Sequence, residues 1–283
     1  MRLSIILATA DRHLIIAKTI ESIISIECGD NDSIQLIVVD QSFNDKTFNL
    51  LMSYDSCIDI IYVHSLRKGL SLSRNLGLEL ADGDVFCFGD DDCFYDKNII
   101  NKLNYFFSKH ACDFISSGVY VPNSNRLTRY TRFKDSKRLS QWNVFGRITS
   151  ISLFLKSAEI LSRYKFNENL GLGAEFGSCE EIEYVYRILE SGFIGIYEPS
   201  IRVYHENPTG YSKEKTYSYA LGHGAFTKIL ISKFTFNSIY WATIKLIKAV
   251  LKIPAQLIIK KKLYPLRYFS GFIHGLFNWG KIK

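Results

Sequence analysis

The chain has 283 residues, of which 47% are hydrophobic and 22% charged, so its composition excludes a disordered or fibrous protein. Its six cysteines form no CxxC pair and show no metal-ligand spacing, which predicts reduced thiols in a cytoplasmic protein. The net charge of +7 is unevenly distributed. After Glu214 there are 12 Lys or Arg and no Asp or Glu, which predicts a basic extension facing an anionic surface.

Strand and helix patterns alternate over the first 120 residues. Apolar, β-branched runs predict strands at residues 3–8, 35–39, 58–63 and 85–89, and helical spacing predicts helices at residues 13–27, 71–81 and 98–109. Ser71 stands where it could cap the second of these helices. This alternation predicts an α/β fold with a mainly parallel sheet flanked by helices. The opening run is too short for a signal peptide, and no charge-free apolar stretch predicts a transmembrane helix.

The second part of the chain is less regular. Residues 123–147 are polar and basic, which predicts a long loop, and residues 148–155 resemble a strand. A glycine-rich loop over residues 171–177 precedes a predicted helix that begins at Glu180. Short strands are predicted on either side of Pro199. We expect a first domain over residues 1–210 and a helical extension over residues 211–283.

Residues 86–92, FCFGDDD, combine a buried strand with three adjacent carboxylates. Asp90 and Asp92 are two residues apart, so an extended chain points both to the same side. That pair suits Mg²⁺ or Mn²⁺ with open positions for substrate phosphates. A solvated acidic turn is the alternative. An EF-hand does not fit, because Tyr95 and Asn101 stand where its loop needs Gly and Glu.

Polar residues follow several of the predicted strands. Thr9, Asp40 and the acid cluster each come directly after a strand end. In open α/β sheets, ligands bind outside the carboxyl ends of the strands. We therefore expect these residues to meet at one edge of the sheet.

Several motifs, in this order along the chain, resemble those of the family 2 glycosyltransferases, the large inverting group with the GT-A fold. The matching segments are residues 4–12 with Thr9-Ala10-Asp11-Arg12, residues 36–42 with Asp40, residues 69–77 with Arg74-Asn75, the acid cluster, and Glu180-Glu181 followed by Arg187. The resemblance covers about residues 1–210. It implies a GT-A catalytic domain with a basic helical C-terminal extension.

The resemblance implies a donor-binding set of residues. The principal metal ligand would be Asp92, with His205 as a further ligand of Mn²⁺ or Mg²⁺. The nucleotide would be bound by Thr9, Asp11, Asp40, Arg74, Asp90 and Asp91. The alternatives are that Asp40 caps a turn and that Arg74 and His205 lie on the surface. Asp11 stands where the family commonly has Asn.

The resemblance also implies which residues bind and activate the acceptor. Inversion needs a base that takes the acceptor proton, and Glu181 is the candidate, with Glu180 helping to bind the acceptor. Glu181 replaces the family's more usual Asp and is one methylene longer. Acids at a helix start can also serve only to offset the helix dipole.

The C-terminal extension contains a periodic pattern of lysines and apolar residues. Lys245, Lys248 and Lys252 repeat at helical spacing beside apolar residues, and Pro254 is expected to kink or break the helix. Such a pattern suits an interfacial helix on anionic lipid. The alternative is a helical extension packed on the catalytic domain or on a second subunit. Nucleic-acid binding is not expected.

Together with the acid cluster, the resemblance implies a metal-dependent inverting glycosyltransferase. It would move a sugar from a nucleotide-diphosphate donor, by preference a UDP-sugar, to a glycan or lipid-linked acceptor in surface polysaccharide synthesis. We expect it in the cytoplasm at the inner face of the cell membrane, and a homo-oligomer is compatible with the sequence. The rivals are a sugar-1-phosphate nucleotidyltransferase, which would need a Gly-rich loop that residues 8–12 lack, and a non-catalytic scaffold of the same fold.

Overall fold

The structure is a computed structural model that describes residues 1–54, 57–156, 158–207, 210, 212–258 and 264–281, with the backbone alone over residues 252–258. The described chain divides into two compact units. The first comprises Met1–Lys68, Leu72–Phe166 and Tyr184–Asn207, and the second comprises Gly69–Ser71, Asn167–Glu183 and the chain from Pro208 onward.

The first unit is built on a mixed sheet. Its strands are β1 (Arg2–Thr9), β2 (Ser33–Asp40), β3 (Asp59–His64), β4 (Val85–Asp90), β5 (Cys93–Tyr95), β6 (Phe114–Tyr120), β7 (Lys137–Arg138), β8 (Leu153–Leu155) and β9 (Gly195–His205). Helices α1 (His13–Ile24), α2 (Lys46–Met52), α3 (Leu70–Leu80), α4 (Ile99–Lys109), α5 (Ala158–Arg163) and α6 (Glu180–Glu190) lie between the strands along the chain, and α3 and α6 each run from one unit into the other. The predicted α/β class is confirmed.

The strand order is β3-β2-β1-β4-β8-β6-β9-β5, with β7 paired to β9. Strands β3, β2, β1 and β4 run parallel, while β8 is antiparallel to β4 and to β6. The central strands β1 and β2 are buried along almost their whole length, which is why they read as continuous apolar runs. The core on this sheet holds Leu3, Ile5, Leu36, Val38 and Cys87, all fully buried.

Strand β9 contains an irregularity at Pro199. The two short strands predicted on either side of this proline form one strand, Gly195–His205. Its pairing with β6 jumps from Ser117↔Glu198 to Gly118↔Arg202, so residues 199–201 stand outside the ladder as a bulge. A bulge accommodates the proline, which has no N–H for the ladder.

Two further expectations differ from the structure. Ser71 is not a cap, because α3 begins at Leu70 and the Ser71 hydroxyl donates to the Leu170 carbonyl at 2.6 Å. The strand predicted over residues 148–155 is a single 3₁₀ turn, Ser150–Ser152, followed by the short strand β8.

The second unit is mainly helical. It contains α7 (Lys213–Lys233), α8 (Phe236–Ile258) and α9 (Pro265–Asn278). The backbone of α8 stays helical through Pro254, so the predicted break is wrong. None of the helices in the described part of the chain is both long enough and apolar enough to cross a membrane.

Helices α7 and α9 pack with their backbones in close contact. A Cβ atom on Gly224 would lie 2.0 Å from the Phe272 carbonyl oxygen, and one on Gly275 would lie 2.0 Å from the Leu221 carbonyl oxygen. Only glycine leaves room for two helices at this distance. The pair therefore depends on these small residues.

Candidate active site

The parallel strands bring several candidate residues to one edge of the sheet. Thr9, the last residue of β1, is paired with Asp40, the last residue of β2. On the other side of β1, Ala8 is paired with Asp90, which ends β4. The expected meeting of these strand ends is therefore present.

Three potential metal ligands converge just beyond β4. Asp90, Asp92 and His205 each offer one ligand atom, and these atoms lie within 4.8 Å of one another. His205 reaches this place because β5 and β9 pair antiparallel with Cys93 opposite His205. Carboxylate oxygens with one imidazole nitrogen form a donor set that suits Mn²⁺ or Mg²⁺, and more readily Mn²⁺. The residues present therefore fit a divalent ion, and Asp90, which the resemblance implies as a nucleotide-binding residue, lies beside the two predicted ligands.

Asp92 is the most strongly stabilised carboxylate of this group. One of its oxygens lies 3.1 Å from His205 Nε2, and the other accepts from an Arg12 guanidinium nitrogen at 2.7 Å. The hydrogen bond with His205 is the largest cause that holds the Asp92 pKa well below its usual range, and Arg12 adds to it against the effect of burial. Burial lowers the pKa of His205, but the hydrogen bond and charge of Asp92 outweigh it and raise that pKa. A metal ion bound here would take the place of the proton between Asp92 and His205.

Asp91, which stands between Asp90 and Asp92 in the sequence, is bound by Thr9 and Arg12. It is buried, and its oxygens accept from the Thr9 hydroxyl at 2.8 Å and from Arg12 at 2.8 Å. Its backbone carbonyl accepts from the Thr19 hydroxyl. Burial raises the pKa of Asp91 to about 6, although Arg12 and Thr9 act to lower it. The hydrogen bond between Thr9 and Asp91 therefore ties the end of β1 to the acid cluster, and Arg12 contacts both Asp91 and Asp92.

Asp40 is fully buried at the end of β2. One oxygen accepts from the Ser42 amide at 3.0 Å and from the Ser42 hydroxyl, and the other accepts from the Tyr62 hydroxyl at 3.1 Å. Burial, and then the charge of Asp40, raise the pKa of Tyr62 to about 12. The Ser42 hydroxyl also accepts from the backbone amide of Asp11, which has a left-handed φ of 56°. These contacts fix Asp40 and the Asp11 turn in one arrangement.

Arg74 lies beneath the acid cluster and not on the surface. Its side chain is 1% exposed, and one guanidinium nitrogen donates to Asp90 at 3.2 Å and to the Ser150 hydroxyl at 2.7 Å. The guanidinium also lies 5.4 Å from the centre of the Phe166 ring. A buried cation beside Asp90 offsets part of the charge of the cluster.

The candidate base is at the start of α6 in the second unit. Cys179 precedes the helix with a left-handed φ of 74°, and its carbonyl accepts from the Glu183 amide at 3.0 Å. Glu180 and Glu181 occupy the first turn, where carboxylates are favoured by the helix dipole. Glu180 is buried, and the neighbouring Gly171 backbone is so close that a Cβ atom there would lie 3.2 Å from its side chain.

A lysine of the C-terminal extension interacts with the start of α6. Lys245 of α8 interacts electrostatically with Glu181, and its Nζ lies 5.1 Å from the centre of the buried Phe226 ring. Burial is the main cause that lowers the Lys245 pKa. The sequence predicts Lys245 and Lys248 on one basic face of the helix, and in the structure Lys245 is partly buried while Lys248 is exposed.

Sequence reasoning assigned no role to four residues that hydrogen-bond with Asp92, Asp40 or Arg74. They are Arg12, Ser42, Tyr62 and Ser150. The signal for Arg12 was its position in the turn directly after β1. Ser42 follows Asp40 by two residues, a spacing at which a carboxylate commonly accepts local hydrogen bonds. Nothing in the sequence around Tyr62 or Ser150 indicates these contacts.

Comparison with known proteins decides the family. Residues 4–161 match the family model described as Glycosyl transferase family 2. The chain belongs to this family. The resemblance identified from the motifs is confirmed, and the described architecture is that of a glycosyltransferase domain with a helical C-terminal region.

One curated relative is the minor teichoic acid biosynthesis protein GgaB of Bacillus subtilis (strain 168), 27% identical over 213 residues. The alignment covers 67% of this chain and 23% of GgaB, so the chain spans about a quarter of that relative. The crystal structure of S. aureus TarS 1-349 in complex with UDP has a TM-score of 0.61 at 18% identity and covers 98% of this chain and 89% of that one.

A second solved structure shows the same fold. The mannosyltransferase PcManGT from Pyrobaculum calidifontis, in complex with GDP-Man and Mn²⁺, has a TM-score of 0.64 at 14% identity. The comparison covers 98% of this chain and 86% of that chain. At these identities both structures establish the fold.

Proposed function

We propose that this chain is a metal-dependent, inverting glycosyltransferase that uses a nucleotide-diphosphate sugar, by preference a UDP-sugar. The observation that carries the proposal is the group formed by Asp90, Asp92 and His205, whose ligand atoms lie within 4.8 Å of one another, with the buried Arg74 against Asp90. Its position beyond the carboxyl ends of the parallel strands is where nucleotide ligands bind in α/β sheets.

On the donor side, Asp92, His205 and Asp90 would hold Mn²⁺ or Mg²⁺. The bound ion would stabilise the negative charge that develops on the departing diphosphate. Arg74, fixed by Asp90 and Ser150, supplies positive charge beneath the cluster. Asp40 and the Asp11 turn would bind the nucleoside, with Asp40 held in place by Ser42 and Tyr62. Thr9 and Asp91, which are hydrogen-bonded to each other, would complete the nucleotide-binding set.

On the acceptor side, Glu181 would act as the general base and Glu180 would help to orient the acceptor. The acceptor hydroxyl oxygen attacks the anomeric carbon from the face opposite the diphosphate. The bond between the anomeric carbon and the diphosphate oxygen breaks, and the hydroxyl proton passes to the Glu181 carboxylate. One such displacement inverts the anomeric configuration.

The relatives support a role in surface polysaccharide synthesis. GgaB is named as a teichoic acid biosynthesis protein, and TarS has been solved with UDP-GlcNAc and with UDP. We therefore infer a glycan or lipid-linked acceptor of the teichoic acid kind. The chain would work as a peripheral protein at the inner, anionic face of the cell membrane, and a homo-oligomer is compatible with this role. No nucleic-acid partner is proposed.

The test is release of nucleoside diphosphate from a panel of UDP-, GDP- and dTDP-sugars with Mn²⁺, with and without EDTA. We expect one donor to be hydrolysed or transferred, and chelation to abolish the reaction. Binding of no donor at any metal concentration would contradict the proposal and favour a scaffold. Formation of a nucleotide sugar from a sugar 1-phosphate and a nucleoside triphosphate would instead favour a nucleotidyltransferase.

A further inference from the structure

Helix α8 exposes large apolar side chains along one face. Six of them are well exposed: Phe236 (81%), Ile239 (41%), Tyr240 (44%), Ile247 (48%), Val250 (54%) and Leu251 (59%). Their separations of 3, 4, 11, 14 and 15 residues from Phe236 all correspond to near-whole turns of a helix with about 3.6 residues per turn. We call these six residues the α8 apolar face.

The opposite side of α8 is the one that packs within the second unit. Ala242 is 2% exposed and Ala249 is 1% exposed, and Ala249 belongs to an apolar cluster with Ala220 and Phe272. Lys245 lies on this side, with its Nζ over the Phe226 ring. The helix therefore buries its small residues and partly buries one lysine, while it exposes its large aliphatic residues. In a helix that only packed against its own domain, the reverse is expected.

The turn between α7 and α8 extends the same surface. Phe234 ends α7 with a left-handed φ of 51° and is 82% exposed. Phe236 follows two residues later. Two exposed phenylalanines at this turn enlarge the apolar surface of α8, and exposed apolar patches commonly mark interaction sites.

The charge of the C-terminal region indicates which partner the α8 apolar face fits. From residue 215 onward the sequence has 12 Lys or Arg and no Asp or Glu. Lys228 of α7, Lys248 of α8 and Arg267 of α9 are exposed. A second copy docked on the same face would bring like charges together without any carboxylate of this region to offset them. Anionic headgroups above an acyl region complement both the cations and the apolar side chains.

We propose that the α8 apolar face, led by the Phe234 and Phe236 turn, inserts into the interfacial region of an anionic bilayer, with α8 lying in the membrane plane. This inference deepens the membrane location proposed above by naming the surface responsible. It rests on the second unit alone and does not require the candidate active site to be catalytic.

The test uses the full chain and vesicles of phosphatidylglycerol with phosphatidylcholine, or of phosphatidylcholine alone, in a sedimentation assay. The variant is Ile247→Gln with Val250→Gln and Leu251→Gln. The matched control is Leu14→Gln with Met52→Gln and Tyr105→Gln, which changes three exposed apolar residues of the first unit. We expect the wild type and the control to bind the anionic vesicles, and the α8 variant to bind about tenfold or more weakly, since several aliphatic side chains no longer enter the bilayer.

Two results would overturn the proposal. One is anionic-vesicle binding by the α8 variant at the wild-type level. The other is no vesicle binding by the wild type together with a dimer in analytical ultracentrifugation that the α8 variant loses, which would make a second copy the occupant. Circular dichroism shows whether the variants are folded. Donor hydrolysis without vesicles separates a failure of this inference from a failure of the proposed function.

Discussion

The Nε2 atom of His205 lies 3.1 Å from a carboxylate oxygen of Asp92, although 113 residues separate the two along the chain. Strand pairing explains the contact. Asp92 directly precedes β5, His205 ends β9, and the antiparallel register puts Cys93 opposite His205. Tyr130 packs edge-on against the imidazole at 5.7 Å between ring centres, which helps to fix its orientation.

Replacement of this carboxylate should weaken metal binding. In Asp92→Asn the side chain loses its charge and one anionic oxygen, so we expect the affinity for Mn²⁺ to fall by more than about tenfold. Isothermal titration with Mn²⁺ measures this directly, and donor hydrolysis should fall with it. Asp30→Asn, at an exposed carboxylate, is the control and should match the wild type. Unchanged Mn²⁺ affinity in Asp92→Asn would remove Asp92 from the ligand set.

Asp40 is expected to serve both nucleotide binding and stability. In Asp40→Asn an amide group would face one of the donors now bound by the carboxylate, either Ser42 or Tyr62. The free energy of unfolding should fall by about 1–3 kcal/mol, because a buried donor loses its acceptor. Urea denaturation measures the stability, and titration with UDP measures the affinity.

The control for this change is Asp45→Asn, at an exposed position in the same loop. It should leave the stability and the affinity for UDP unchanged. If Asp40→Asn lost stability but kept full affinity for UDP, Asp40 would be a structural residue only.

Glu181 is the candidate for proton transfer. Glu181→Gln keeps the size of the side chain but cannot accept the proton, so we expect the rate of transfer to an acceptor to fall about 10²–10⁴-fold. The affinity for donor and metal should stay near the wild-type value. Single-turnover transfer and donor titration measure the two quantities. Glu190→Gln, at the exposed end of the same helix, should transfer normally. Near-normal transfer by Glu181→Gln would rule it out as the base.

The close contact of α7 and α9 should be sensitive to a single methyl group. In Gly224→Ala the new Cβ atom would lie 2.0 Å from the Phe272 carbonyl oxygen and 2.7 Å from the Leu276 nitrogen, so the helices must separate. We expect a loss of about 1–3 kcal/mol in the free energy of unfolding, measured by urea denaturation. Ser232→Ala, at an exposed position of α7, should change it by less than about 0.5 kcal/mol. Equal stability of the two variants would show that the helices do not need this contact.

Much of the first unit was predictable because its strands are buried on both faces. Runs such as residues 3–8 and 35–39 must be apolar throughout, and their alternation with helical spacing leaves few topologies. The acid cluster was recognisable for a similar reason, because adjacent carboxylates at a strand end need a cation. The contacts of the Asp91 side chain were not predictable, since they depend on the positions of Arg12 and Thr9 in space.

The second unit was harder to predict from sequence. Helix α8 has apolar residues on much of its circumference, so periodicity does not reveal which face packs. The structure shows that Lys245 and two alanines face inward, while Ile247 and Leu251 face outward. Contacts with other helices determine which face of α8 packs inward, and a local sequence pattern does not encode these contacts. Likewise, the continuous course of β9 past Pro199 depends on its neighbour β6.

The bulge in β9 separates two paired stretches of the strand. Before it, β9 pairs with β6 as far as Glu198, and after it the pairing resumes at Arg202 and leads to the register that sets His205 opposite Cys93. Because residues 199–201 stand outside the ladder, the pairing after the bulge fixes the place of His205 beside Asp92, and the number of residues from the start of β9 does not. A change of chain length at Pro199 is therefore expected to alter the bulge before it moves the candidate metal ligand.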